Sequence, residues 1–470
     1  MLGLAAAAVV AIGVQVVALR WEQPHIASEY INLFHADRLA SGEGLYTDPG
    51  PGTWSFPVYF PGLYALLAPL TWITGPDQIW LERLAALIAL IGVCGLSART
   101  ALRLSGSRIA ATVSGLGLLG FVPVAHLVGV VRPDVFALVF AAGALAAVTR
   151  WEDEREPRWL IYTALFCAAM VLTRQVYAPI AGALILAVLI RDPRAGLRTL
   201  ATSVGATLAV LALTELASGG SFSADIRAFT DLVRLSSLTE LIESQLWPPN
   251  PLYLIGALGC AAGFARGMTL RAVHLAWLGG AICCLAAVKV GSSGNYLLPL
   301  MWASAILGGP ALELARARMS RPAFGIASVA VGLLLISPAH YAIERARAVS
   351  DLTASLNRSQ DEAAERLAAI DGPVLGDRFD LALAAGRVPD FEALLLSQLE
   401  LTGVRTPTEL ARAVHRQRFE GIQASFDLFA TTPSYQGLSF WPPSVVAAAR
   451  AAYCERWQGD FVWLYRPCRS

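Results

Sequence analysis

Residues 132–149 read RPDVFALVFAAGALAAVT, an apolar run opened by Arg132-Pro133-Asp134 and free of charge from Val135 to Thr149. Proline at the first helical position and an acid in the first turn are helix-start signals. The run that follows has no polar face to turn toward water, and its length is close to the roughly 17–25 residues of a membrane span. Comparable runs lie near 2–20, 81–98, 109–129, 159–173, 176–190, 199–217, 251–265, 272–290, 296–312 and 323–340. Together they predict an all-α polytopic membrane domain of about eleven transmembrane helices over residues 1–340.

Composition agrees. The 470 residues are 56% hydrophobic and 15% charged, with a mean hydropathy of +0.55. One soluble core cannot hide that much apolar surface. A net charge of +1 gives no basic face for nucleic acid. Leu2 to Leu19 is too long for a signal-peptide core and lacks a basic leader, so it is expected to remain as the first span. The stretch 57–74 is also apolar, but Pro57, Pro61 and Pro69 interrupt it. A re-entrant or interfacial helix is expected there, within an outer loop covering 21–80.

Charge orients the spans. The loops 99–108, 150–158, 191–198, 266–271 and 314–322 hold fourteen arginines, whereas the alternate loops hold Arg132, Arg174, Arg227, Arg234 and Lys289. The positive-inside rule places the first set in the cytoplasm. Loop 21–56 has five acids against Arg38 and reads as outside, as does the tail 341–470. That tail reads as a small soluble α/β domain. Pro373 to Gly376 enters a strand, and an apolar helix lies near 391–402. Thr406-Pro407-Thr408-Glu409 has the form of a capping box opening a helix. Gly421 to Leu428 alternates like a strand, Pro443 opens a helix, and Phe461 to Tyr465 suits a last strand. Cys454 and Cys468 can pair if the tail meets an oxidising compartment. Cys94, Cys167, Cys260, Cys283 and Cys284 lie in apolar runs and read as packing residues.

Polar residues that carry chemistry sit at the outer ends of the spans rather than mid-membrane. They are Glu29 in the first outer loop, Arg132 and Asp134, Arg174 with Gln175, and Lys289 before Gly291-Ser292-Ser293-Gly294-Asn295-Tyr296. Cations at this level suit a lipid phosphate, and a carboxylate among them suits a general base. The blander reading is that outer-end arginines snorkel to the interface. Lys289 is the sole lysine, and an intramembrane charge beside a glycine-rich turn reads as functional. Glu22, His25 and Glu29 share a helical face that could hold a divalent metal. No metal site is assigned, and no cofactor is implied.

The order of these residues resembles a known pattern. Glu29-Tyr30 is followed by Ala40-Ser41-Gly42-Glu43-Gly44-Leu45-Tyr46, Tyr59-Phe60-Pro61, Arg132-Pro133-Asp134, Arg174-Gln175 and the Gly291–Tyr296 run. This set, over nearly the whole chain, is similar to the GT-C superfamily of membrane glycosyltransferases. The likeness is to its bacterial branch near the aminoarabinose transferase and protein O-mannosyltransferase families. Gly372 to Leu375 and Trp441-Pro442-Pro443 resemble the extracytoplasmic domain of such proteins. The resemblance implies a hexosyl- or pentosyltransferase of a bacterial inner membrane. It would move sugar from a polyprenyl-phosphate donor to a lipid, glycan or protein acceptor outside, inverting the anomeric carbon. It implies Glu29 as the base, where relatives usually carry Asp, with Ser28 standing where they often carry a neighbouring acid. Tyr30, Tyr46, Tyr59, Arg132, Asp134, Arg174, Lys289, Asn295 and Tyr296 are the implied substrate contacts. Loop 218–250 is placed to close over the donor. The competing readings are a transporter or lipid flippase, which predicts broken mid-membrane helices and repeat symmetry, and a scaffold using the tail as a binding module.

Overall fold

The computed structural model describes residues 28–47, 54–120, 130–230, 271–288, 294–320, 359–389, 391–401, 405–430, 438–459 and 462–468, with a few isolated positions between them. In chain order the helices of the first part are α1 (Ser28–Ala40), α2 (Pro61–Thr74), α3 (Trp80–Ser105), α4 (Arg108–Gly117), α5 (Pro133–Glu154), α6 (Pro157–Thr173), α7 (Ala178–Arg191), α8 (Pro193–Ala217), α9 (Ser221–Thr230), α10 (Ala272–Cys284) and α11 (Leu298–Arg318).

Local signals explain many of the boundaries. Pro61, Pro133, Pro157 and Pro193 each stand in a first turn, where the missing N–H costs nothing. The Asp192 carboxylate caps α8 through the Ala195 N–H at 3.0 Å. Gly106 closes α3 in the left-handed region, with φ 66°, a conformation that glycine adopts without penalty.

Among the described residues, four helices are long and apolar enough to cross a membrane: Trp80–Ser105, Pro133–Glu154, Pro193–Ala217 and Gly294–Arg318. Pro157–Thr173, Gln175–Arg191 and Ala272–Val288 are shorter apolar helices. Several run past the apolar segments read from sequence, because a helix continues through polar residues beyond the hydrocarbon level. The expected spans at 2–20, 251–265 and 323–340 lie almost wholly outside the described residues.

The 57–74 segment folds as the 14-residue α2, with Pro69 inside it. At about 1.5 Å per residue this helix reaches roughly 21 Å, against about 30 Å of bilayer hydrocarbon. Leu63, Tyr64, Leu67 and Thr71 are buried, while Leu66, Trp72 and Ile73 are exposed. Gly62 brings α2 against the end of α6, since a Cβ there would stand 2.7 Å from the Leu172 carbonyl.

The tail carries a four-stranded sheet in the order β1-β2-β6-β5 and a separate β3-β4 pair. The strands are β1 (Val374–Gly376), β2 (Gly421–Ala424), β3 (Ser434–Tyr435), β4 (Leu438–Ser439), β5 (Tyr453–Gly459) and β6 (Val462–Pro467). The tail helices are α12 (Phe379–Ala384), α13 (Ala393–Leu401), α14 (Thr408–His415) and α15 (Pro443–Ala452). β1 and β2 are parallel and the other neighbours antiparallel.

Three details differ from the sequence reading. Pro407 is the N-cap of α14 and no side chain caps it, so the capping box does not form. β2 ends at Ala424 because Ser425 turns its backbone and hydroxyl to Asp377. β5 was not foreseen, since its polar composition hides the alternation by which strands are read. Cys454 and Cys468 are joined, tying the start of β5 to the end of β6.

Residues between α1 and α2 belong to the tail's core. Trp54 and Phe56 pack with Leu375, Phe391 and Trp441, and Trp54 forms a parallel bridge with Phe391. Loop and tail thus form one unit above the helices.

Candidate functional site

A cavity of about 370 Å³ lies where three parts meet: α1, the ends of the long helices, and the tail. Arg132 precedes α5, Arg174 follows α6, and Asn295 and Tyr296 precede α11. All four line one wall, with Tyr59 beside them. Asp377, Arg378, Glu392 and Gln398 of the tail line the opposite side, and Ser28, Asn32 and His35 of α1 close it.

An ion pair and two aromatic rings hold Arg174 on the membrane-domain wall. Arg174 is buried and forms an ion pair with Asp134, Nε to Oδ1 3.2 Å. Its guanidinium sits 4.9 Å from the Tyr59 ring centroid and 5.2 Å from that of Tyr296. Asp134 also accepts from the Asn295 amide at 3.1 Å. Behind the wall, Arg83 donates to Glu29 at 3.3 and 3.0 Å, and neither side chain has solvent exposure. The Glu29 carboxylate also accepts the Val131 N–H at 3.0 Å, while Asn32 donates to the Val131 carbonyl at 3.1 Å. Both backbone groups of Val131 are therefore held by α1, which fixes the neighbouring Arg132.

The tail wall is built differently. The Asp377 carboxylate accepts from Ser425 N–H, Ser425 Oγ, Trp441 Nε1 and Gln423 Nε2 at 2.6–3.1 Å. Burial raises its pKa, and these donors partly offset the rise. Arg378 pairs with Asp380 at 2.8 Å. Glu392 is half-buried and lines the cavity. It accepts from Ser55 Oγ at 3.3 Å and from the Phe56 N–H, and burial pushes its pKa up to about 8. Since Ser55 donates to Glu392, its oxygen is left to accept from His35 Nε2–H at 3.1 Å. His35 is wholly buried, and burial followed by the charge of Arg38 pushes its pKa down to about 3. The ring is thus neutral.

Of the residues singled out from sequence, the structure gathers Tyr59, Arg132, Arg174, Asn295 and Tyr296 on the cavity wall, with Asp134 directly behind. Glu29 and Tyr30, in the first turn of α1, are buried and off the wall. Tyr46 is buried, donating to the Tyr59 carbonyl at 2.6 Å and stacking edge-on with Phe222 of α9 at 4.8 Å. That contact places the start of the 218–250 loop beside the site, and residues beyond 230 lie outside the described residues. Lys289, Glu22 and His25 also lie outside them. No three His, Cys, Asp or Glu side chains converge as a metal site among the described residues. Sequence reading missed Arg83, His35, Ser55, Arg378 and Glu392. Arg83 carried a signal, one of two adjacent charges at the start of an apolar span. The others carried none, because only folding brings loop and tail to the cavity.

No protein-family model matches the sequence, and no curated protein sequence does either. Solved structures do match. ArnT from Cupriavidus metallidurans bound to undecaprenyl phosphate superposes with a TM-score of 0.62 at 14% identity, covering 99% of this chain and 97% of that one. The fold is the GT-C fold. The apo state of the same ArnT gives a TM-score of 0.59 at 15% identity, with 98% and 97% covered. The oligosaccharyltransferase AglB from Archaeoglobus fulgidus, in complex with an inhibitory peptide and a dolichol-phosphate, gives 0.54 at 12% identity. That match covers 99% of this chain and 74% of AglB. In the GT-C architecture observed here, the cavity sits between helix ends and tail.

Proposed function

We propose that the chain is an integral membrane glycosyltransferase that moves a hexosyl or pentosyl group from a polyprenyl-phosphate donor to an extracytoplasmic acceptor, inverting the anomeric carbon. The cavity carries this reading: two fixed arginines at helix ends face a polar, carboxylate-bearing tail across a space of about 370 Å³. The donor's phosphate is its leaving group and gains charge in the transition state. Cations already held in place stabilise that charge without reorganising. Arg132 and Arg174 are the phosphate contacts, with Lys289 as a third. Tyr59, Asn295 and Tyr296 contact the sugar, while Asp134, Tyr30 and Tyr46 support the wall. Undecaprenyl phosphate in ArnT and dolichol-phosphate in AglB belong to the chemical class these arginines suit. A carrier would hold its cargo between helices near mid-membrane, whereas this cavity lies at helix ends. The Cys454–Cys468 bond suits an oxidising compartment and thus a tail outside the inner membrane.

The proton acceptor belongs to the same outer face. Glu29 is the candidate from sequence, and it must release Arg83 before it can act. Glu29→Gln alone strands a buried arginine, so Glu29→Gln/Arg83→Met is the informative pair. Loss of turnover in a folded double variant supports Glu29 as the base; retained turnover removes it. The reading as a whole is tested with the purified chain in lipid nanodiscs and a panel of undecaprenyl-phosphate-linked sugars. Release of undecaprenyl phosphate from one donor supports it. Silence across the panel, with no binding of undecaprenyl phosphate, transfers the protein to the carrier or scaffold readings.

A further inference from the structure

Two carboxylates of the described residues reach the cavity, Asp377 and Glu392. A carboxylate offers about four lone-pair sites. Asp377 has four hydrogen bonds from Ser425, Trp441 and Gln423, three of them on Oδ2 and one on Oδ1, and it anchors the tail. Glu392 takes one bond from Ser55 and one from the Phe56 N–H, so half of its capacity remains for a hydrogen-bond donor in the cavity. The bridge between Trp54 and Phe391 fixes it at the cavity edge, one residue before α13.

We infer that Glu392, held by Ser55 with His35 behind it, is the group that takes the proton from the acceptor hydroxyl. This rests on the glycosyltransferase reading and assigns its base to the tail rather than to the first outer loop. The acceptor's O–H bond breaks as its proton passes to the Glu392 carboxylate, and the oxygen's electron pair forms the bond to the anomeric carbon. The bond from that carbon to the phosphate oxygen breaks, and its electron pair stays on the phosphate beside Arg132 and Arg174. The products are the glycoside, polyprenyl phosphate and protonated Glu392, which returns its proton to water.

The electrostatics support the geometry. The other ionisable groups around the cavity are Arg132, Arg174, Arg378, Asp377, His35 and the tyrosines 59, 64 and 296. The arginines 174 and 378 have their own carboxylates, Asp134 and Asp380, and His35 is neutral. Glu392 is therefore governed by burial, which raises its pKa to about 8, and by two neutral donors. A base is most effective when its pKa lies near the working pH. Turnover should accordingly rise with pH and level off above about 8.

The test compares wild type, Glu392→Gln and Glu29→Gln/Arg83→Met, each full length in nanodiscs. It measures binding of undecaprenyl phosphate and turnover of undecaprenyl-phosphate-linked sugars against pH. The inference expects Glu392→Gln to bind undecaprenyl phosphate as wild type does and to lose turnover by about 10²–10⁴-fold, the usual worth of a general base. Its residual activity should lack the pH limb, and formate should restore activity to Glu392→Ala. Glu392→Gln with near-wild-type turnover, or with the wild-type pH profile, overturns the inference. Loss of turnover together with lipid-phosphate binding does so too, since it reveals a merely structural role. Failure of the glycosyltransferase reading is a separate outcome, visible in wild type as no binding and no turnover, and it removes the inference with it.

Discussion

The carboxylates nearest the cavity are held in opposite ways on its two sides. On and behind the membrane-domain wall, carboxylates are paired with arginines: Asp134 with Arg174 and Glu29 with Arg83. On the tail wall Glu392 is held by a hydroxyl and an amide. Opposite charge fixes the position of a group, whereas burial without an opposite charge raises the pKa of a carboxyl. The first arrangement suits binding a permanently charged phosphate. The second suits moving a proton.

The largest effect that could break this contrast is the loss of turnover expected for Glu392→Gln. Next comes the ion-pair wall. Arg174→Met alone should destabilise the protein by about 3–5 kcal/mol, because it leaves Asp134 buried and uncompensated, while Arg174→Met/Asp134→Asn should recover much of that. Denaturation of the purified variants measures both, and equal stabilities would show that the pair is not what holds the wall.

On the tail side, Cys454→Ser/Cys468→Ser opens a loop with a sequence separation of 14. A cross-link of that length is worth about 3 kcal/mol, so the tail should unfold earlier while the helices stay intact. Proteolysis followed by mass spectrometry reads this directly. A smaller effect is expected at the seam. Gly62→Val pushes α2 off the Leu172–Thr173 backbone and should cost about 1–3 kcal/mol as an overpacked contact, weakening lipid-phosphate binding through displacement of Tyr59 from Arg174.

The last expected effect is a pH slope. The Glu392 pKa in the folded protein, about 8, lies above its ordinary value of 4.5. Its contribution to stability is therefore full below about 4.5 and is lost as the pH rises through about 8. Glu392→Gln should flatten the melting temperature of the tail across that window. An unchanged slope would place the titrating group elsewhere.

The sequence by itself determined the apolar helices, because a span is a property of a continuous run and shows in composition alone. The seven apolar helices among the described residues begin or end within a few positions of the runs read from 81–98 to 296–312. It also placed the cations at helix ends, where Arg132, Arg174 and the Asn295-Tyr296 pair are found. Tertiary structure decided which groups face the substrate. Glu29 is conspicuous in sequence, yet in the fold it turns toward Arg83 and Val131. Glu392 is one acid among many in a polar tail, yet a single bridge between Trp54 and Phe391 brings it to the cavity across a sequence separation of 337 from Ser55. Local pattern encodes where a helix lies relative to the bilayer. Which carboxylate keeps a free lone pair depends on partners hundreds of residues away, and only packing supplies them.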